Sequence, residues 1–317
     1  MTQHHLNVKT LTLVLLALIC GIAVKAQMKD FSVFDNKFNF YVVNDIGRNG
    51  YYDQKTIAEL MGTMAEQGAD PEFVAAIGDV HHFNGVQSAA DPLWTTNYEL
   101  IYSHPELMLD WFPVLGNHEY RGNTQACIDY SDVSRRWEMR ARYYTKVFEM
   151  DGMTLRMIWT DTTPMMAKYR KASDVYPDAV KQDYQKQLAW LDSVLTASRE
   201  DWVIVMGHHP VYAETGKDGS ERADMQATIG KVIAAHKVAM YINGHIHNFQ
   251  HIRPAGSYTD FITNSAGALS RKVKPIEGTV FCSGETGFSI VSADNTSLVL
   301  RMIDKNGNVI HTVSRTK

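Results

Sequence analysis

Residues 73–79 read Phe73-Val74-Ala75-Ala76-Ile77-Gly78-Asp79, five apolar residues that run straight into a glycine and a carboxylate. A short apolar run bounded by a turn residue predicts a buried strand over Phe73 to Ile77. The carboxylate at its end carries a second message, because open α/β sheets build their sites beyond the carboxyl ends of their strands. Outward from this stretch the same grammar recurs. Phe38 to Asn44 predicts a strand ending at Asp45-Ile46-Gly47, and Trp111 to Leu115 one ending at Gly116-Asn117-His118. Trp202 to Met206 leads to Gly207-His208, and Val238 to Ile242 to Gly244-His245-Ile246-His247. Asp, Asn and His together make an oxygen-and-nitrogen donor set suited to metal. Seven of the 13 histidines, at 81, 82, 118, 208, 209, 245 and 247, fall in these segments. Packing does not explain such clustering, whereas metal sites are built from it. Strand ends of this composition predict a hydrolytic two-metal centre.

The intervening segments predict an α/β fold. Asp53 to Gln67 reads as a helix capped by Asp53, with Ile57, Leu60, Met61 and Met64 as its apolar stripe. A helical region over Trp94 to Ser103 follows, so the first half alternates strand and helix as βαβ units do. Tyr143 to Met150 and Met153 to Thr160 predict paired strands about Asp151-Gly152. Helices are expected over Ala179 to Ala197 and near Ala223 to Ala235, and an antiparallel tail with an Asn306-Gly307 turn closes the chain.

The 317 residues carry a net charge of −4 with no basic run or stripe, which argues against a nucleic-acid surface. Arg135, Arg136, Arg140 and Arg142 form a local basic patch, read first as a solvated face. Lys9 precedes the apolar stretch Leu11 to Val24, and Val24-Lys25-Ala26 offers small residues for cleavage before Gln27. This predicts a signal peptide over residues 1–26, export to the periplasm or medium, and no membrane attachment after cleavage. Residues 27–317 are then expected to form a single catalytic domain. Cys127 and Cys282 remain, and the sequence does not say whether they bridge.

Five segments together resemble the calcineurin-like metallophosphoesterases, and within them the small, mammalian-type purple acid phosphatases. That family carries D-x-G, G-D-x-x-Y, G-N-H-[DE], V-x-x-H and G-H-x-H. This chain has Asp45-Ile46-Gly47, Gly78-Asp79-Val80-His81-His82, Gly116-Asn117-His118-Glu119, Val205-Met206-Gly207-His208 and Gly244-His245-Ile246-His247. The resemblance implies two mixed β-sheets packed as a sandwich flanked by helices. It implies a metal-bridging Asp79, a first ion completed by Asp45, His82 and His247, and a second completed by Asn117, His208 and His245. His118 would stabilise the transition state or protonate the leaving oxygen, and His209, where the family often has tyrosine, is either a substrate contact or a packing residue. The implied reaction is hydrolysis of small phosphate monoesters, the ions acidifying a bound water and clamping phosphate oxygens for attack on phosphorus. Phosphodiester or nucleotide pyrophosphate hydrolysis on the same centre is the alternative. A non-catalytic binding protein that keeps metal to hold its loops is the rival of another class.

The departure from the pattern is His82, which stands where the family has a tyrosine. Tyrosinate on iron(III) gives that family its colour, and a neutral imidazole supplies neither colour nor charge. A colourless centre open to iron, zinc or manganese is therefore expected. His81 is the competing candidate, but its offset from Asp79 does not match. The family's second substrate-facing histidine is also missing: Val211 to Gly219 contains none, and Glu214, Thr215 and Lys217 occupy the stretch.

Overall fold

The computed structural model describes residues 27–216 and 219–317, so the leader and Lys217 lie outside the described residues. Thirteen strands among them form two mixed sheets. The first has the order β13-β12-β11-β1-β2-β3 and the second β10-β8-β9-β7-β6-β5-β4. In the first, β1 (Phe38–Val43), β2 (Pro71–Ala76) and β3 (Asp110–Pro113) run parallel. Against β1 the tail adds β11 (Gly287–Ala293), β12 (Ser297–Asp304) and β13 (Val309–Thr316), all antiparallel. In the second, β5 (Met153–Trp159), β6 (Trp202–Met206), β7 (Met240–Asn243) and β9 (Asp260–Thr263) are parallel. Its edges are β4 (Tyr144–Met150), paired with β5, and β8 (Phe249–Ile252) with β10 (Thr279–Ser283), all antiparallel.

Alternation along the strands assigns the layers. Phe38, Phe40 and Val42 of β1 join Phe73, Ala75, Trp159, Ile204, Met240 and Ile262 in a core between the two sheets. Its rings interlock, with Phe40 stacked on Phe73 at 4.7 Å between centroids. Aromatic side chains buried this deeply each resist truncation by about 3–5 kcal/mol. The alternate residues Tyr41 and Val43 face Ile57 and Met61 of α1 (Gln54–Met64), and the Tyr41 hydroxyl donates to the Met61 carbonyl at 3.0 Å. On the other sheet Leu191 and Leu195 of α2 (Tyr184–Ala197) pack with Val203 and Val205. The result is helix, sheet, sheet, helix, with the two parallel runs opening at one edge.

Two local expectations are corrected. Asp53 does not cap α1: its carboxylate instead accepts from the Thr286 hydroxyl at 2.7 Å and Lys305 Nζ at 3.1 Å, tying the helix start to the tail. The arginine patch is dispersed, because Arg136 is buried and pairs with Glu99, whereas Arg140 is exposed and pairs with Asp132. Cys127 and Cys282 are both free thiols.

Asp161, just beyond β5, is fully buried and accepts from the Tyr120 hydroxyl at 2.5 Å. Burial pushes its carboxyl up to about 7 against the pull of Arg142 and the Tyr120 hydrogen bond. The folded state therefore holds a proton that the unfolded chain releases near pH 4, and stability contributed here falls as pH rises from about 4 to about 7. Asp161→Asn keeps the acceptor and removes the ionisation. Urea unfolding across that window should show the variant gaining on the parent by a few kcal/mol with rising pH; parallel curves would refute the assignment.

Candidate metal centre

Every motif segment leaves a parallel strand at the same edge of the sandwich. Asp45 follows β1, Asp79 follows β2, Asn117 and His118 follow β3, His208 follows β6, and His245 and His247 follow β7. The backbone is strained where the donors turn inward. Asp45, Asp79, His245 and His247 have φ of 52°, 54°, 71° and 63°, a region that costs non-glycine residues free energy and concentrates at functional sites. The glycines beside them act mainly by making room. A Cβ on Gly116 would stand 2.2 Å from Asp79 Oδ1, and one on Gly78, itself at φ +94°, would stand 2.4 Å from His208 Nδ1.

Asp79 is the hub. Its Oδ2 lies 3.1 Å from His208 Nε2, 3.6 Å from His82 Nε2 and 3.8 Å from His118 Nε2. Its Oδ1 accepts the His118 backbone N–H at 2.9 Å. Asp45 Oδ1 lies 3.0 Å from His247 Nε2, and Asp45 Oδ2 accepts from the His245 N–H at 2.8 Å and the Asn44 amide at 2.7 Å. Donor atoms within 4.8 Å of one another group as Asp45–His82–His247, Asp79–His82–His118, Asp45–Asp79–His208 and His208–His209–His245. His82 thus stands among these carboxylates, while His81 turns away, its ring edge-on to Trp94 at 4.4 Å.

The donor set fits a metal centre. Both ring nitrogens of His82 and Asn117 Oδ1 are buried and lack a hydrogen-bond partner, although buried polar atoms ordinarily find one. Nδ1 of His208 is held by the Ile77 carbonyl at 2.9 Å and Nδ1 of His247 by the Leu269 carbonyl at 2.6 Å. Each bond fixes a tautomer with Nε2 turned to the cluster. Burial works to raise both carboxyls, yet the surrounding histidines, His208 foremost at Asp79 and His247 at Asp45, hold them well below the carboxylate range. Burial works to lower His208, but Asp79 and Asp45 push it up to about 10. The pocket is a buried anionic pair that demands positive charge.

The motif residue Glu119 and three residues that the motifs do not mark complete the arrangement. Glu119 accepts backbone N–H groups of Gly116 (2.7 Å), Asp79 (2.9 Å) and His81 (3.0 Å), locking two motif loops together. Asn264, beyond β9, donates to Asn44 Oδ1 at 2.7 Å, and Asn44 in turn orients Asp45. Glu221, in the helix Ser220–Ala227, places Oε2 3.2 Å from His245 Nε2 and takes the Tyr169 hydroxyl on Oε1 at 2.9 Å. That helix lies just beyond the stretch lacking the family's histidine, and no motif spacing reaches it.

His118 donates Nδ1–H to the Phe83 carbonyl at 2.7 Å, which turns Nε2 toward Asp79 at the open side of the cluster. Burial lowers its imidazole below the usual range, with Asp79 opposing. His209, open in the sequence between a substrate contact and a packing residue, has the surroundings of the second. It is fully buried behind His245, with Nδ1 2.9 Å from the Thr162 hydroxyl and Nε2 3.2 Å from the Tyr169 hydroxyl. Both ring nitrogens are engaged, so the ring packs and supports.

A buried carboxylate fixes an imidazole and raises its donor strength, so with His245 as an expected ligand Glu221→Gln should weaken zinc affinity by roughly 10–100-fold. Competition with a chromophoric chelator reads this directly; unaltered affinity would reduce Glu221 to a loop anchor.

A sandwich of two mixed sheets with Asp, Asn and His at one edge defines a metal-dependent phosphoesterase. The calcineurin-like phosphoesterase family profile matches residues 38–249, and the chain belongs to that family. It is 30% identical to purple acid phosphatase 4 of Arabidopsis thaliana, over 96% of this chain and 94% of that one. It is also 30% identical to tartrate-resistant acid phosphatase type 5 of Sus scrofa, over 67% of this chain and 62% of the other. A solved structure of GAP50, the anchor in the inner membrane complex of Plasmodium, superposes with a TM-score of 0.75 at 20% identity, over 89% of each chain, and shares the fold. The chain is a metallophosphoesterase similar to acid phosphatases.

Proposed function

We propose that residues 27–317 form one catalytic unit, exported after loss of residues 1–26, that hydrolyses small phosphate monoesters at a binuclear metal centre. Asp45, Asp79, His82 and His247 would hold one ion, and Asp79, Asn117, His208 and His245 the other. Iron, zinc and manganese all suit this mixed imidazole and carboxylate set. Bound ions supply Lewis-acid activation of water and neutralise charge on the phosphoryl group. The observation that carries the reading is the convergence of the buried, partnerless His82 ring nitrogens and Asn117 Oδ1 on the buried Asp45–His247 and Asp79–His208 pairs.

The chain's own groups have separable tasks. His118 presents Nε2 beside Asp79 with its other nitrogen pinned, so that in its protonated form it would give a proton to the leaving oxygen. Glu119 and Asn264 hold the two sheets' loops so that the carboxylates stay placed. Among the described residues no helix is long and apolar enough to cross a membrane.

The test is turnover of an aryl phosphate and a bis-aryl phosphate by chelator-stripped protein, then after reconstitution with zinc, manganese or iron. Monoester turnover that vanishes on stripping and returns with metal is expected. Faster diester turnover would move phosphodiesters to the front, and metal uptake without turnover would favour a binding protein.

A further inference from the structure

A cleft of about 460 Å³ adjoins the metal centre, lined by Gly47, Arg48, Asn49, Tyr51, Tyr52, His82 and Phe83. His82 forms part of the wall of both. Three large aromatic side chains gather here in water: Tyr51 is 73% exposed, Tyr52 64% and Phe83 65%. Exposed hydrophobic side chains are ordinary when scattered, but a cluster rimming a cleft marks a binding surface.

The backbone presents these rings at a cost. Asn49 and Tyr52 have φ of 51° and 57°, and a bulky aromatic residue in that region is a genuine outlier. The loop is nevertheless fixed. Asn49 N–H donates to Asn97 Oδ1 at 2.6 Å, Gly50 N–H to Gln54 Oε1 at 2.7 Å, and Asp53 N–H to the Ala268 carbonyl at 3.0 Å. Strain that yields no burial for Tyr52 calls for another use of the ring.

Arg48 supplies the charge. Its guanidinium lies 5.0 Å from the Phe83 ring centroid. Its Nε is buried without a hydrogen-bond partner. The Phe83 carbonyl holds His118, so the wall of the cleft is joined to the group that faces the leaving oxygen.

We infer that this cleft receives the aromatic ring of a phosphomonoester, stacked against Tyr52 and Phe83, while Arg48 takes an oxygen on the ring-bearing side and the phosphoryl group sits at the metal centre. The shared chemistry is a planar ring carried on a phosphate ester, either an aryl phosphate or a nucleotide. This inference rests on the phosphatase reading for its chemistry, but not for the ring's place.

The experiment uses metal-loaded protein, the parent beside Tyr52→Ala, Phe83→Ala and the double variant. Turnover of phosphotyrosine, adenosine 5′-monophosphate and glycerol 2-phosphate is measured, and binding of phenylphosphonate and methylphosphonate is followed by calorimetry. The aromatic-to-aliphatic ratio of kcat/KM should fall about tenfold in the double variant, and the phenyl-to-methyl affinity ratio should fall with it. A fall confined to phosphotyrosine identifies an aryl site, and one confined to the nucleotide a nucleobase site. Ratios that stay at parental values in the folded double variant overturn the inference. If no ester is turned over by any protein, the phosphatase reading fails, and the phosphonate ratio still decides whether the cleft binds a ring.

Discussion

Asp79→Asn is expected to lower kcat/KM toward an aryl phosphate by on the order of 10³-fold or more, ~4 kcal/mol of transition-state stabilisation. The size follows from what each oxygen does. Oδ1 accepts the His118 N–H, and Oδ2 faces His208, His82 and His118 within 3.8 Å. An amide cannot serve both sides. With Nδ2 toward the histidines, N–H groups point at the imidazole nitrogens where a ligand oxygen is needed. With the amide flipped, Nδ2 opposes the His118 N–H and releases the loop that carries the proposed acid. Loss of the charge also removes the main attraction that keeps His208 protonated before metal enters. The variant should therefore bind less metal as well as turn over less substrate. Metal content by mass spectrometry, with circular dichroism to confirm folding, separates the two effects. Turnover within tenfold of the parent at full metal content would remove Asp79 from the hub of the site.

What the sequence made legible was what is local. A strand followed at once by its donor, as in Ile77-Gly78-Asp79 or Asn243-Gly244-His245, carries fold and chemistry in the same few residues, because a parallel strand can only deliver its end to one edge. Partners supplied from elsewhere in the chain left no such mark. Glu221 reads as a surface residue in the first turn of a short helix, and only tertiary packing brings it to His245. Asn264 lies 220 residues from the Asn44 it orients. The strands β8 and β9 escaped for another reason. His251 and Asp260 interrupt their apolar pattern, yet both are buried in a charged network with Arg253 and Arg315. Once polar groups are paired inside, hydropathy no longer marks the strand. His209 was open in the sequence between a substrate contact and a packing residue, and its burial with a hydroxyl at each ring nitrogen is a tertiary feature that no local pattern carries.

The sharpest chemical consequence concerns His82, the position at which the chain leaves the purple acid phosphatase pattern. Its ring lies 4.1 Å from His118 and 5.9 Å from His247 between centroids, and Nε2 is 3.6 Å from Asp79. Imidazole is a neutral donor, whereas a phenolate adds a negative charge that favours a trivalent ion. His82→Tyr should therefore convert a centre without visible colour into one with a phenolate-to-iron(III) charge-transfer band, and should shift the metal competition from zinc toward iron. Space for the larger ring exists on the side of the cleft, whose wall His82 forms, so overpacking should cost no more than about 1–3 kcal/mol. Spectra of the iron-loaded parent and variant give the comparison. A strong visible band already present in the parent would mean that another tyrosine reaches the metal. A folded, iron-loaded variant that stays colourless would mean that residue 82 does not touch it. A band that appears only with the tyrosine would place residue 82 in the coordination shell.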